Sequence, residues 1–280
     1  MPELRTADGR TLAYRREGEG PLLVCHPGGP GFSGAEFSDL AGLADALTLV
    51  LLDPRGTGGS DPPADRTAYA VGDFVSDLEE LRRHLALERI DLLGFSHGGI
   101  VAMAYAIAHP DRVDRLVLAS TLARVSDAQQ TEAAREIERR AGEPWHAEAV
   151  AALEAEEQAR YETARDLEAL WRAMAPMYFA RWDDEAQAFV DETSAVGNAD
   201  ALRLFNTDIP DLLPELSRIE ADTLVIAGAD DFICGPTPAH EIADAIANAQ
   251  VVILPHAGHF TYFEARDEFR RAVLDFLASG

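Results

Sequence analysis

The feature that most constrains this chain is an alternation of short apolar runs with helix-length amphipathic stretches. Strand-like runs stand at 11–16, 22–25, 47–53, 90–94 and 115–119. Between the third and fourth, Val71, Phe74, Val75, Leu78, Leu81 and Leu85 recur at three- and four-residue spacing, which predicts an amphipathic helix over 71–87. Residues 98–108 are apolar almost throughout and read as a buried helix. Strands alternating with helices at this interval predict the doubly wound α/β class: a mostly parallel central sheet with helices on both faces.

From residue 122 to 216 the texture changes. Strand-like runs vanish, Ala, Glu and Arg dominate, and acids outnumber bases. Breaks at Gly142-Glu143-Pro144, Met174-Ala175-Pro176 and Gly197-Asn198 divide this stretch into several helices, and 209–214 reads as an exit linker. Strands resume at 223–227 and 250–254, with helices over 237–247 and 266–277. The expected organisation is a core formed by 1–121 and 217–280, interrupted by an all-helical insertion at 122–216.

Composition narrows the function. At 280 residues with 47% hydrophobic and 26% charged, the chain can bury a large core. Its 24 basic residues stand against 49 acidic ones, a net charge of −25 that repels phosphate backbones and anionic lipid, so neither nucleic acid nor a membrane surface is an expected partner. Every basic residue is Arg. The absence of Lys removes the P-loop lysine and the Schiff-base lysine, and no cofactor is expected. The sequence begins without a basic segment leading into an apolar one, and no run is long enough to span a bilayer, so a cytoplasmic protein is expected. Cys25, in a strand-like run, and Cys234, in a loop, make neither a disulfide framework nor a metal cluster and are expected to be reduced bystanders. The oligomeric state is not legible.

The chemistry is carried by Gly94-Phe95-Ser96-His97-Gly98, a G-x-S-x-G pentapeptide that follows an apolar strand and opens a helix. Glycines two before and two after the serine let a strand turn sharply into a helix, so that Oγ projects beside the helix's positive end. Ser96 is the candidate nucleophile. A serine hydroxyl needs a base held by an acid. Downstream, Asp230 and Asp231 follow one predicted strand and His256 and His259 follow another, at the carboxyl edge where such sheets build their sites. The residues alone leave both pairs open.

Together with this elbow, His26-Pro27-Gly28-Gly29-Pro30-Gly31, Asp53-Pro54-Arg55-Gly56-Thr57-Gly58-Gly59-Ser60 and Gly258-His259-Phe260 resemble the α/β-hydrolase superfamily, and within it the proline iminopeptidase-like group, over nearly the whole chain. The resemblance implies an α/β-hydrolase fold whose helical insertion is a cap, and it selects Asp231 and His259. It implies Gly29 and His97 as backbone N–H donors of an oxyanion hole. Pro27 stands where much of the group has histidine, with His26 one place earlier. Asp53 and Arg55 are expected to pair beneath the site. His26, Phe32, Trp171, Tyr178 and Trp182 are candidates for the substrate pocket. In this group, acids of the cap or pocket bind the substrate's amino terminus. Glu154, Glu156 and Glu157 offer such groups, although acids at this spacing belong first to a solvated helix face. The resulting expectation is a Ser-Asp-His serine hydrolase working through an acyl-enzyme on a short peptide or other small molecule. It is an aminopeptidase releasing N-terminal proline, or else an esterase or lactonase, or a non-hydrolytic binding or biosynthetic protein on the same fold.

Overall fold

A computed structural model describes residues 2–193, 198–207 and 209–279. The chain runs β1 (Glu3–Arg5), β2 (Thr11–Glu17), β3 (Leu22–His26), β4 (Thr48–Leu52), α1 (Val71–His84), β5 (Ile90–Phe95), α2 (His97–Ala108) and β6 (Val113–Ala119). It then passes through α3 (Asp127–Arg139), α4 (His146–Glu157), α5 (Ala164–Met174), α6 (Asp184–Thr193) and α7 (Ala199–Thr207) before β7 (Asp222–Gly228), α8 (Pro236–Ala245), β8 (Ala249–Leu254), α9 (Thr261–Glu264) and α10 (Arg266–Ala278).

The strands form one eight-stranded sheet in the order β1-β2-β4-β3-β5-β6-β7-β8. β1 and β2 join antiparallel at one edge, and the remaining neighbours are parallel. A sheet covered on both faces needs apolar side chains on both, which is why the central strands read as continuous apolar runs. Along β5, Leu92 enters a core with Phe74, Leu78 and Val101 of α1 and α2, while its neighbour Leu93 enters one with Phe37, Phe269 and Val273 on the opposite face. The expected class is what the chain adopts. β1 was not anticipated: three residues with one buried, Leu4, give no pattern to read.

β4 lies on one side of β3 and β5 on the other, so the strand order reverses between β3 and β5. At such a reversal the loops leaving the two strands part and open a crevice at the carboxyl edge. The Gly28-Gly29 loop follows β3 and Ser96 follows β5, one on each side of it. Between β6 and β7 the described residues contain helices and no strand. The anticipated breaks after α3 and after α5 fall where placed, the latter followed by a capping turn at Ala175–Tyr178. The break at Gly197-Asn198 falls partly outside the described residues. Among the described residues no helix is long and apolar enough to cross a membrane.

Candidate active site

Ser96 passes the chain from β5 to α2 at φ 52°, ψ −120°, a conformation that costs a non-glycine residue about 1–3 kcal/mol and persists only where the surroundings impose it. The Ser96 N–H donates to the Ala119 carbonyl at 3.0 Å, and the Ser96 carbonyl accepts from the Thr121 hydroxyl at 2.7 Å. The flanking glycines answer to close approach: a Cβ on Gly94 would stand 2.3 Å from the Gly98 carbonyl oxygen, and one on Gly98 2.2 Å from that of His26.

His259 and Asp231 arrive from the ends of β8 and β7. His259 Nδ1 lies 2.8 Å from Asp231 Oδ2, and the other carboxylate oxygen accepts the N–H groups of Ile233 at 2.9 Å and Cys234 at 3.1 Å. Both side chains are buried. The neighbours that the residues alone left open go elsewhere. Asp230 accepts from Arg139 on α3 at 2.8 Å, and His256 sits exposed at a left-handed turn position, φ 57°.

Ser96, Gly29, His97 and His259 line one cavity of about 530 Å³, a size suited to a small-molecule or short-peptide ligand. Neither the Gly29 nor the His97 N–H has an acceptor among the described residues. Phe32, Trp171 and Tyr178 line the cavity. His26 and Trp182 do not. His26 is buried beneath the elbow, its Nδ1 2.9 Å from the Pro27 carbonyl oxygen and its ring 6.2 Å from that of His97, because α2 packs its glycine face directly on the end of β3. Trp182 packs against Phe179, 5.4 Å between centroids, on the core side of the segment. Burial drives the His97 imidazole well below its ordinary pKa, so a neutral ring forms this wall, edge-on to Phe205 at 5.0 Å.

Two further expectations are corrected. Arg55 pairs with Asp77 on α1 at 2.7 Å and not with Asp53, whose carboxylate is taken by the N–H groups of Gly34 at 3.0 Å and Gly59 at 2.8 Å. Glu156 is not part of a solvated helix face. It is buried in the cavity wall, accepts from the Asn206 side chain at 2.9 Å, and burial raises its pKa. Glu157, exposed, lines the same cavity, whereas Glu154 does not.

Sequence reading missed Glu36, a buried carboxyl of the cavity wall that accepts the Gly28 N–H at 2.6 Å. Burial pushes its pKa up to about 7. Nothing in the local pattern marks it, since its hydrogen-bond partner lies in the loop eight residues before it. Cys234 also lines the cavity. Asp231, Cys234 and His259 bring one ligand atom each within 4.8 Å of one another. The set suits a metal poorly, because the imidazole nitrogen a metal would take is bonded to Asp231 and burial holds the thiol far from its thiolate form.

The family model described as alpha/beta hydrolase fold matches residues 21–266. A proline iminopeptidase of Lactobacillus helveticus is 30% identical over 300 residues, covering 96% of this chain and 95% of the relative. The crystal structure of a hydrolase from Pseudomonas aeruginosa superposes with a TM-score of 0.75 at 30% identity, covering 99% of this chain and 98% of that one. That of the enol-lactonase from Burkholderia xenovorans does so at 0.70 and 28%, covering 99% and 100%. The matched span holds the reversal point of the sheet, the elbow and the loops after β7 and β8. The chain therefore belongs to the α/β-hydrolase fold family, as a proline iminopeptidase-like serine hydrolase.

Proposed function

We propose that Ser96, His259 and Asp231 act as nucleophile, base and orienting acid, that the Gly29 and His97 N–H groups receive the oxyanion, and that the helical stretch 122–216 acts as a cap over the site. Ser96 attacks a carbonyl while His259 takes its proton. Asp231 holds the tautomer that leaves Nε2 free, and His259 returns the proton to the leaving group before activating the water that releases the acid. The substrate is a small peptide or amide with a free N-terminal amine, proline preferred.

The observation that carries this substrate reading is the charge of the cavity wall. Glu36, Glu156, Glu157 and Glu168 line it, and among the described residues no arginine does. Burial makes the bare Glu156 carboxylate costly, and an ammonium group beside it would relieve that cost. The remaining wall is mainly apolar and aromatic. It suits a neutral ester or lactone as well, and this supports an esterase or lactonase as the second reading. A carboxylate-bearing lactone would find four acidic side chains in this wall and, among the described residues, no arginine to pair with.

Steady-state rates with proline-anilide, alanine-anilide, N-blocked proline-anilide and short nitrophenyl esters, with Ser96→Ala as blank, test the proposal. Free-amine proline exceeding its N-blocked form supports the aminopeptidase, and ester turnover without anilide cleavage moves the function to an esterase. A fluorophosphonate that labels wild type but not Ser96→Ala supports the nucleophile. Failure to label wild type under conditions that label a control hydrolase would favour a binding role.

A further inference from the structure

His259 hangs on a short loop between β8 and α9; one hydrogen bond and a bridging carboxylate hold that loop against the capping turn Ala175–Tyr178 and the residues after it. The His259 N–H donates to the Tyr178 carbonyl at 2.7 Å. The Gly258 N–H donates to Glu264 Oε2 at 2.7 Å, and the Ala180 N–H donates to Glu264 Oε1 at 2.8 Å. One carboxylate thus ties the base loop to the segment that follows Tyr178, a residue of the cavity wall. The two backbones touch: a Cβ on Gly258 would stand 2.4 Å from the Tyr178 carbonyl oxygen and 2.8 Å from the Ala180 nitrogen. The Tyr178 ring stands edge-on to the imidazole at 5.4 Å. Glu264 itself lies on α9, the turn that also carries Tyr262, whose hydroxyl donates to the Glu36 carbonyl at 3.0 Å. The same turn therefore reaches the oxyanion side of the cavity.

Resting on the reading of His259 as the base, we infer that Glu264 is a positioning residue, whose carboxylate fixes His259 against Asp231 by locking the base loop to the segment at Tyr178–Ala180. Tyr178 then forms a fixed wall of the cavity. Any motion that admits substrate hinges elsewhere in the helical stretch, because lifting this segment would leave the N–H groups of His259 and Ala180 without their partners.

The test uses the full chain and two readouts. The first is the rate of fluorophosphonate labelling of Ser96, with kcat and KM on whichever substrate is turned over. The second is the far-downfield proton resonance of the imidazole Nδ1–H bonded to Asp231, which Asp231→Asn serves to assign. In Glu264→Ala the labelling rate and kcat are expected to fall on the order of a hundredfold with KM little changed, as for a displaced catalytic group, and the resonance to broaden by exchange with water. Glu264→Gln keeps one acceptor and is expected to fall between Ala and wild type. Gly258→Ala forces the same two backbones apart with the carboxylate intact and is expected to reproduce the defect. Folded Glu264→Ala with wild-type labelling and an unbroadened resonance would overturn the inference. If Glu264→Ala does not fold, wild-type values in Glu264→Gln would do so. A wild-type chain that shows the resonance but resists labelling would instead count against the hydrolase reading, leaving the positioning role to be judged by the resonance.

Discussion

In the proposed mechanism Ser96 and its partners act through single atoms, so substitutions that preserve shape are the informative ones. Asp231→Asn keeps the volume but turns one oxygen into a donor facing an imidazole N–H, which favours the wrong tautomer. The expected loss in kcat is on the order of 10⁴, read from single-turnover kinetics, with near-UV circular dichroism unchanged. Glu156→Gln preserves the acceptor for Asn206 and removes only the charge. It is expected to raise KM for free-amine substrates by about tenfold, the worth of one charge-assisted contact, and to leave N-blocked or ester substrates unaffected. Equal effects on both substrate types would remove the ammonium from the argument.

At the scale of elements, the loop after β4 is held by a buried cluster centred on α1. Asp77 accepts from Arg55 at 2.7 Å and from Arg10 at 2.9 Å, and all three side chains are largely shielded from water. Removing the buried anion that both guanidinium groups share leaves Arg10 only Asp8 and Arg55 only the more distant Asp73, and breaking a buried pair of this kind costs up to about 3–5 kcal/mol. Asp77→Ala is therefore expected to lower the denaturant midpoint strongly, whereas Asp53→Asn, which keeps one acceptor for Gly34 or Gly59, is expected to cost less. Comparing the two midpoints checks which carboxylate Arg55 depends on.

Across the whole molecule, charge and buried acids set the response to pH and salt. Glu36 and Glu264 are both pushed up to about 7 by burial, so the folded state holds protons that the unfolded chain releases from about 4.5 upward. Their contribution is full below about 4.5 and is lost as pH rises through about 7. The double variant Glu36→Gln/Glu264→Gln is expected to flatten the fall in Tm over that window. Glu79 works in the opposite sense: bonded to Arg82 and Tyr105 and drawn down to about 2, it stabilises above its unfolded value of 4.5 and loses that contribution as pH falls toward 2. With a net charge of −25, the compact state repels itself, and sodium chloride is expected to raise Tm by screening. A Tm independent of salt would place the excess acids too far apart to interact.

What the sequence determined was whatever local pattern can encode. Short apolar runs gave the strands, three-and-four spacing gave α1, and the glycines around Ser96 marked the sharp turn because only a narrow backbone shape fits there. Chain order and resemblance picked Asp231 and His259, which the fold brings within 2.8 Å. The remaining assignments depend on partners far apart in the chain. Arg55 chose Asp77 over Asp53. Glu156 met Asn206 and left solvent. Trp182 turned to the core and His26 went beneath the elbow, and Glu264 reached back to Ala180. Periodicity and motif spacing carry no term for such contacts, because whether a carboxylate is solvated or buried is settled by which distant backbone packs on it, and only the tertiary structure decides that.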